Sequence, residues 1–199
     1  HVRAETQFLA EEIPSSEPIE PAALTGYAAA TGAELTRPGT RSALTAIPRL
    51  LSAQPHDIPH WAATFAQIAT HVLARGESII LAVPDYRDQR ALERALSALV
   101  PADRIVAVDA RQTAAARYRN HLRLISGGSF VVIGNRSAVL SPVDNASTIV
   151  MWDDSDSAFI EPHAPGVHAR DVALIRQERT GAALIFAGFA HSVDVQRLI

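Results

Sequence analysis

Asp153, Asp154 and Asp156 fall within four residues, directly behind the apolar run Ile149, Val150, Met151 and Trp152. Carboxylates bunched at the end of an apolar strand can hold a divalent cation and orient a water, which is how nucleotide hydrolases attack a phosphate. The same three acids can equally cap a helix or solvate a turn. Other residues bear on the choice. His168, Arg170 and Asp171 open a helical pattern, where an arginine and an aspartate either lock a helix end or face a phosphate. Arg136 follows a separate apolar run and suits a phosphate contact or a structural pair with one of the aspartates. Arg87, Arg90 and Arg94 share one helix face, and Arg119 and Arg123 share another. Such faces are ordinarily just solvated, yet they are also what a sequence-independent phosphate track requires. Trp61 and Trp152 read as core residues rather than as base-stacking platforms.

Composition bounds the scaffold that must position these groups. At 199 residues, 48% hydrophobic and 20% charged, the chain can bury a sizeable core in one domain with an appendage. No apolar run is long enough to cross a bilayer, so no membrane partner and a cytoplasmic location are expected. There is no cysteine, which excludes disulfides and thiolate zinc sites within these residues. The eight histidines show no ligand spacing beyond His56 and His60, which Pro59 interrupts, so no metal site is expected. A net charge of −3 gives no global attraction to nucleic acid; binding would need a local patch. All 18 basic residues are arginine, so no lysine of this chain can reach a β- or γ-phosphate.

The first residues, to about Leu24, are acidic and proline-bearing and suit a linker outside the core. A start on His1 without methionine leads us to expect a fragment. Beyond them, strands are expected at 42–47, 78–83, 105–109, 130–134, 148–152 and 183–187. Helices are expected at 59–74, 86–100, 113–126 and 167–180. In the third of these, Ala115, Tyr118, Leu122 and Ile125 recur at helical spacing. Alternating strands and helices imply a doubly wound, mostly parallel sheet, whose ligands sit beyond the strands' carboxyl ends.

The strand ends carry an ordered set of short motifs: V-P-D (83–85), G-N-R-S-A (134–138), D-D-S-D (153–156), V-H-A-R-D-V-A (167–173) and G-F-A-H (188–191). This set resembles the first motor lobe of the primosomal protein N′ (PriA) family of replication restart helicases. The family's segments read roughly V-P-E, G-T-R-S-A, D-E-x-H, Y-H-A-R-D-x-A and G-S-A-T. The resemblance runs over residues 44–199 and is most specific in H-A-R-D-V-A and G-N-R-S-A. It implies a sheet of RecA-like, P-loop NTPase type over 41–199, preceded by an extension or linker at 1–40. Asp153, Asp154 and Asp156 then stand at the Walker B position, and Gly188 and His191 at the third helicase motif.

The departures from the family pattern fall where ATP would be handled. A working lobe of this family resembles other P-loop proteins in having a glycine-rich loop ending in Gly-Lys-Thr between its first strand and first helix. Here the interval 50–61 reads L-L-S-A-Q-P-H-D-I-P-H-W, with no glycine, no lysine and two prolines that cannot donate a backbone hydrogen. Asp154 replaces the glutamate expected to polarise the attacking water, and Asp156 replaces a histidine. Phe189 and His191 replace the small hydroxyl residues expected to couple the nucleotide site to DNA.

The resemblance implies DNA forks, D-loops and replication-restart proteins as partners; ATP with Mg²⁺ and zinc enter only through it. The actinobacterial branch, which this arginine-only chain looks like, is thought of as lacking helicase activity. The expected role is therefore DNA replication restart and primosome assembly, by a motor-like lobe with a degenerate ATP site that binds DNA or docks partners. Its ancestral class would be an ATP-dependent 3′-5′ DNA helicase, and no turnover is expected. Two alternatives stay open: a weak metal-dependent ATPase or phosphohydrolase using Asp153, Asp154 and His168, and a protein-interaction module that never touches DNA.

Overall fold

Successive apolar residues form strands buried on both faces, and the segments between them form helices that cover those faces. The computed structural model of the protein describes residues 17–53, 56–109 and 111–199. Along the chain, α1 (Thr31–Leu35) and β1 (Arg41–Thr45) are followed by a two-residue antiparallel ribbon of β2 (Leu50–Leu51) and β3 (Ile58–Pro59). Then come α2 (His60–Leu73), β4 (Ser78–Ala82), α3 (Tyr86–Leu96), β5 (Ile105–Val108), α4 (Ala114–Ile125) and β6 (Val131–Gly134). The chain ends with β7 (Ala146–Trp152), α5 (Ala169–Thr180), β8 (Ala183–Gly188) and α6 (Val193–Leu198). Six strands make one sheet in the order β1-β8-β7-β4-β6-β5, and every pairing is parallel. The doubly wound sheet of RecA-like type expected from the motifs is present.

Strand periodicity divides the core in two. Ile79, Leu81, Val131, Ile133, Val150, Trp152 and Ile185 face the side covered by α2 and α3. Their neighbours Ile80, Val132, Ile149, Met151, Leu184 and Phe186 face the side covered by α5 and α6. Helix α2 is apolar around most of its surface and is buried along most of its length, so it serves as the central packing element of its layer.

Three features differ from the sequence-based expectation. First, the leading segment is not wholly outside the core: Leu24 and Leu35 are buried, and Ile19 and Tyr27 pack against the same cluster. It is also fastened to α2, with Ala22 N donating to Thr70 Oγ1 at 2.8 Å and Thr25 N to Gln67 Oε1 at 3.0 Å. Residues 1–16 of that stretch lie outside the described residues. Second, the face of α4 carrying Tyr118 and Ile125 is turned to solvent, and Leu124 is the residue it buries. Polar anchors explain this: Asn120 Nδ2 and Gln112 Nε2 both donate to Ala107 O, which fixes the helix to β5 by its polar side. Third, Arg119 and Arg123 do not act as a pair. Arg123 reaches back to Asp103 O and lies 5.8 Å from the Phe130 ring, while Arg119 is exposed.

Candidate functional site at the carboxyl edge of the sheet

Parallel strands bring all six carboxyl ends to one edge, and the short motifs gather there. The half formed by β1, β8 and β7 is closed. Helix α2 begins after Pro59, which has no N–H to offer and supplies no side-chain cap. The next donor, His60 N, is taken by Arg49 O at 2.8 Å. Trp61, in the first turn, stacks on Trp152 from the end of β7, with ring centroids 4.5 Å apart and planes 13° apart. Phe65 meets both indoles edge-on at 5.4 and 5.8 Å, and Phe189 meets Trp152 at 5.1 Å. Both tryptophans are only 5% exposed.

The leading segment covers the same helix start. Gly26 adopts φ +81°, a left-handed turn that glycine takes without strain, and Ile47 Cδ1 packs close beside it. Beside it, the Tyr27 ring lies 6.0 Å from that of His60, and its hydroxyl donates to Thr45 O at 3.0 Å.

The three aspartates diverge. Asp154, buried, turns inward: its Oδ2 accepts from Arg170 Nη1 at 3.0 Å and from Ser192 Oγ at 2.8 Å. Arg170 also pairs with Asp194 through Nη2 at 2.9 Å, so one guanidinium clasps β7, α5 and α6 together. Asp153, at φ +50°, accepts from Ser155 Oγ at 2.8 Å. Asp156 caps a short 3₁₀ turn, accepting from Ala158 N at 2.7 Å. Among the described residues, no three His, Asp or Glu side chains converge to hold a metal ion. His168 caps α5 by accepting from Arg170 N at 3.0 Å, and burial with the nearby Arg170 charge holds its imidazole below the ordinary value. Asp171 sits in the first turn of α5. His191 Nε2 lies 3.0 Å from Thr45 Oγ1, bridging the ends of β1 and β8 above Gly188.

The half formed by β4, β6 and β5 is open. Asn135 Nδ2 donates to Pro84 O at 2.9 Å, tying β6 to β4. Arg136 pairs with Glu161 at 3.0 Å, not with any of the aspartates, because the turn after β7 carries those acids away from it. His163 and Arg136 together hold the Glu161 carboxyl below the ordinary range. Asp85 caps α3, its Oδ1 accepting from Arg87 N at 2.7 Å and Asp88 N at 3.1 Å. Burial and the charges of Asp85, Asp156 and Asp153 push Asp88 up to about 6. Along α3, the side chains of Arg87, Arg90 and Arg94 line a groove of about 650 Å³ that opens beside Tyr86.

Several contributors were not singled out from the sequence. Ser192 and Asp194 complete the Asp154 clasp, and a serine cap followed by an acid in the first turn was a readable signal for α6. Tyr86 and Arg111 had no such signal.

The fold and the ordered strand-end motifs define a helicase-lobe-like domain. No family model matches the chain. It is 36% identical over 139 residues to a Mycobacterium tuberculosis relative named replication restart protein PriA, covering 70% of this chain and 21% of that one. The PriA of Treponema pallidum is 27% identical over 130 residues, 65% of this chain and 20% of that one. The chain matches a segment of the replication restart protein PriA family and spans about a fifth of the length of these relatives. Among solved structures, the C-terminal domain of the DEAD-box protein Dbp5 aligns with a TM-score of 0.49 at 14% identity, over 80% of this chain and 79% of that one. The E. coli DExH-box NTPase HrpB aligns with a TM-score of 0.45 at 13% identity, over 81% and 20%. No helix is long and apolar enough to cross a membrane among the described residues.

Proposed function

We propose that this chain is a motor-like lobe of a replication restart protein that neither binds nor hydrolyses ATP and serves as a DNA-binding or partner-docking platform. DNA forks, D-loops and other restart proteins are its partners in this reading, and its place of work is the cytoplasm. The observation that carries it is the stacked pair Trp61 and Trp152, which fills the space at the first turn of α2 where a P-loop protein seats its phosphates.

The residues present do not fit a nucleoside triphosphate with Mg²⁺. No lysine exists to offset the phosphate charge, and the loop before α2 has no glycine to cradle it. The acid at the position of the catalytic carboxylate, Asp154, already satisfies one guanidinium and one hydroxyl, so it is not free to polarise a water. Calorimetric titration of the chain with ATP and Mg²⁺ tests the reading. No binding heat up to millimolar nucleotide is expected; saturable binding, or turnover that falls with Asp154→Ala, would overturn it.

A further inference from the structure

The strongest unassigned feature is the solvent face of α4. Tyr118 and Ile125 are 62% and 52% exposed there, with Leu122 half-buried between them. Spaced at i, i+4 and i+7, the three side chains form one stripe along the helix. Arg119 and Arg123 stand on one flank of the stripe, Arg117 and His121 on the other, and α4 contains no acidic residue. Arg123 is taken up by Asp103 O and the Phe130 ring. Arg117, Arg119 and His121 make no ion pair among the described residues. An apolar stripe between unpaired cations fits an amphipathic segment of opposite charge.

The chain carries such a segment. Residues 1–16, outside the described part, hold Glu5, Glu11 and Glu12 against one arginine, Arg3. Val2, Thr6, Leu9 and Ile13 fall at i, i+4, i+7 and i+11, the spacing of one helical face, and Pro14 is a stop signal behind them. The point where this segment joins the described chain lies beside the end of α4. Arg104 Nη2 donates to Glu17 O at 2.8 Å, and Arg123 of α4 reaches the carbonyl of Asp103, the residue next to Arg104. Residues 14–16 bridge about 10 Å when extended, enough to pass from that anchor to the last turn of α4. The 12 residues of α4 run about 18 Å, a length that a helix over 2–13 would match.

We propose that residues 2–13 dock on the solvent face of α4, with Leu9 and Ile13 against Leu122 and Ile125 and the glutamates beside Arg117 and Arg119. A second copy's α4 does not suit this face, because arginine would meet arginine. A separate acidic protein must compete with a segment whose short tether sets an effective concentration on the order of millimolar. Docked there, the segment covers the apolar stripe and offsets the cations beside it. The contact needs neither nucleotide nor DNA and stands apart from the role proposed above.

The chain has no cysteine, so an introduced pair reports the contact without background. In the full chain, Ile13→Cys with Ile125→Cys is expected to form an intramolecular disulfide about tenfold faster than Ile13→Cys with Leu50→Cys under mild oxidation. Leu50 is an exposed control in the ribbon behind β1, the strand at the opposite edge of the sheet. Adding Arg117→Glu and Arg119→Glu to the first pair should slow the disulfide about threefold, and Glu11→Arg with Glu12→Arg should restore it. A rate no higher than the control's, or one indifferent to both charge changes, overturns the proposal. A disulfide that joins two chains overturns it as well and makes the occupant a second copy.

Discussion

One edge of one sheet has a closed half and an open half. Where β1, β8 and β7 end, two stacked indoles, two phenyl rings and a guanidinium clasp pack against one another over the strand ends. Where β4 and β5 end, a tyrosine and a row of arginines stand open to solvent around a groove of about 650 Å³. A binding site needs accessible volume and unsatisfied polar groups, and the two halves divide in that respect. The shared topology therefore says where a ligand could sit, and the side chains say in which half. A nucleotide hydrolase would need the first; a nucleic-acid platform needs only the second.

The largest effect should come from breaking the closed half. Trp152→Ala removes the ring against which Trp61, Phe65 and Phe189 all pack, and about 3–5 kcal/mol of stability should be lost. Denaturant unfolding measures it. Arg94→Ala, in the open half, should change stability by less than about 0.5 kcal/mol in the same assay. Similar losses from both would mean that the two halves do not differ as described.

A second, smaller effect separates packing from charge within the closed half. Arg170→Met should leave Asp154 buried with Ser192 as its remaining side-chain partner, at a cost of about 3 kcal/mol. Asp194→Ala removes only the exposed end of the clasp and should cost less than about 1 kcal/mol. Chemical denaturation of the pair checks the ranking, and a larger loss from Asp194→Ala would place the clasp's strength at its outer end.

Much of this frame was legible in the sequence because buried parallel strands write themselves as unbroken apolar runs. The run at Ile79, Ile80, Leu81 and Ala82 became a strand buried at every position. The stop at Ala74 to Gly76 was equally plain, since Gly76 takes up φ +72° just past α2. Loss of the phosphate loop was readable too, as an absence of glycine and lysine. What replaced it was not. The stack of Trp61 on Trp152 joins residues 91 positions apart, and no local pattern encodes which two buried aromatics will face each other. Asp154 likewise finds Ser192 only after β8 has crossed back beside β7. The apolar spacing on α4 misled because that helix sits at the sheet's edge, where polar anchors to Ala107 O outweigh a sparse apolar face.

The smallest expected effect joins the two halves through charge. Burial first, then the charge of Asp85 and, from the end of β7, those of Asp156 and Asp153 raise Asp88, on α3, to about 6 from an ordinary 3.8. A carboxyl raised on folding binds its proton more tightly in the native state than in the unfolded one. Between about pH 4 and pH 6 the native state therefore holds more protons, and stability from this group falls as pH rises. His168 acts in the opposite sense just below its ordinary 6.5, because its folded-state value is lowered, so the raw pH profile mixes the two. Comparing parent with Asp88→Asn removes the histidine's contribution. The variant should match the parent near pH 4, gain on it as pH rises, and hold a constant lead above about pH 7. Asp88 is half-exposed, so solvent screening keeps that lead small. A lead that is already full at pH 4 would mean that neither burial nor the acids of the closed half raise Asp88 on folding.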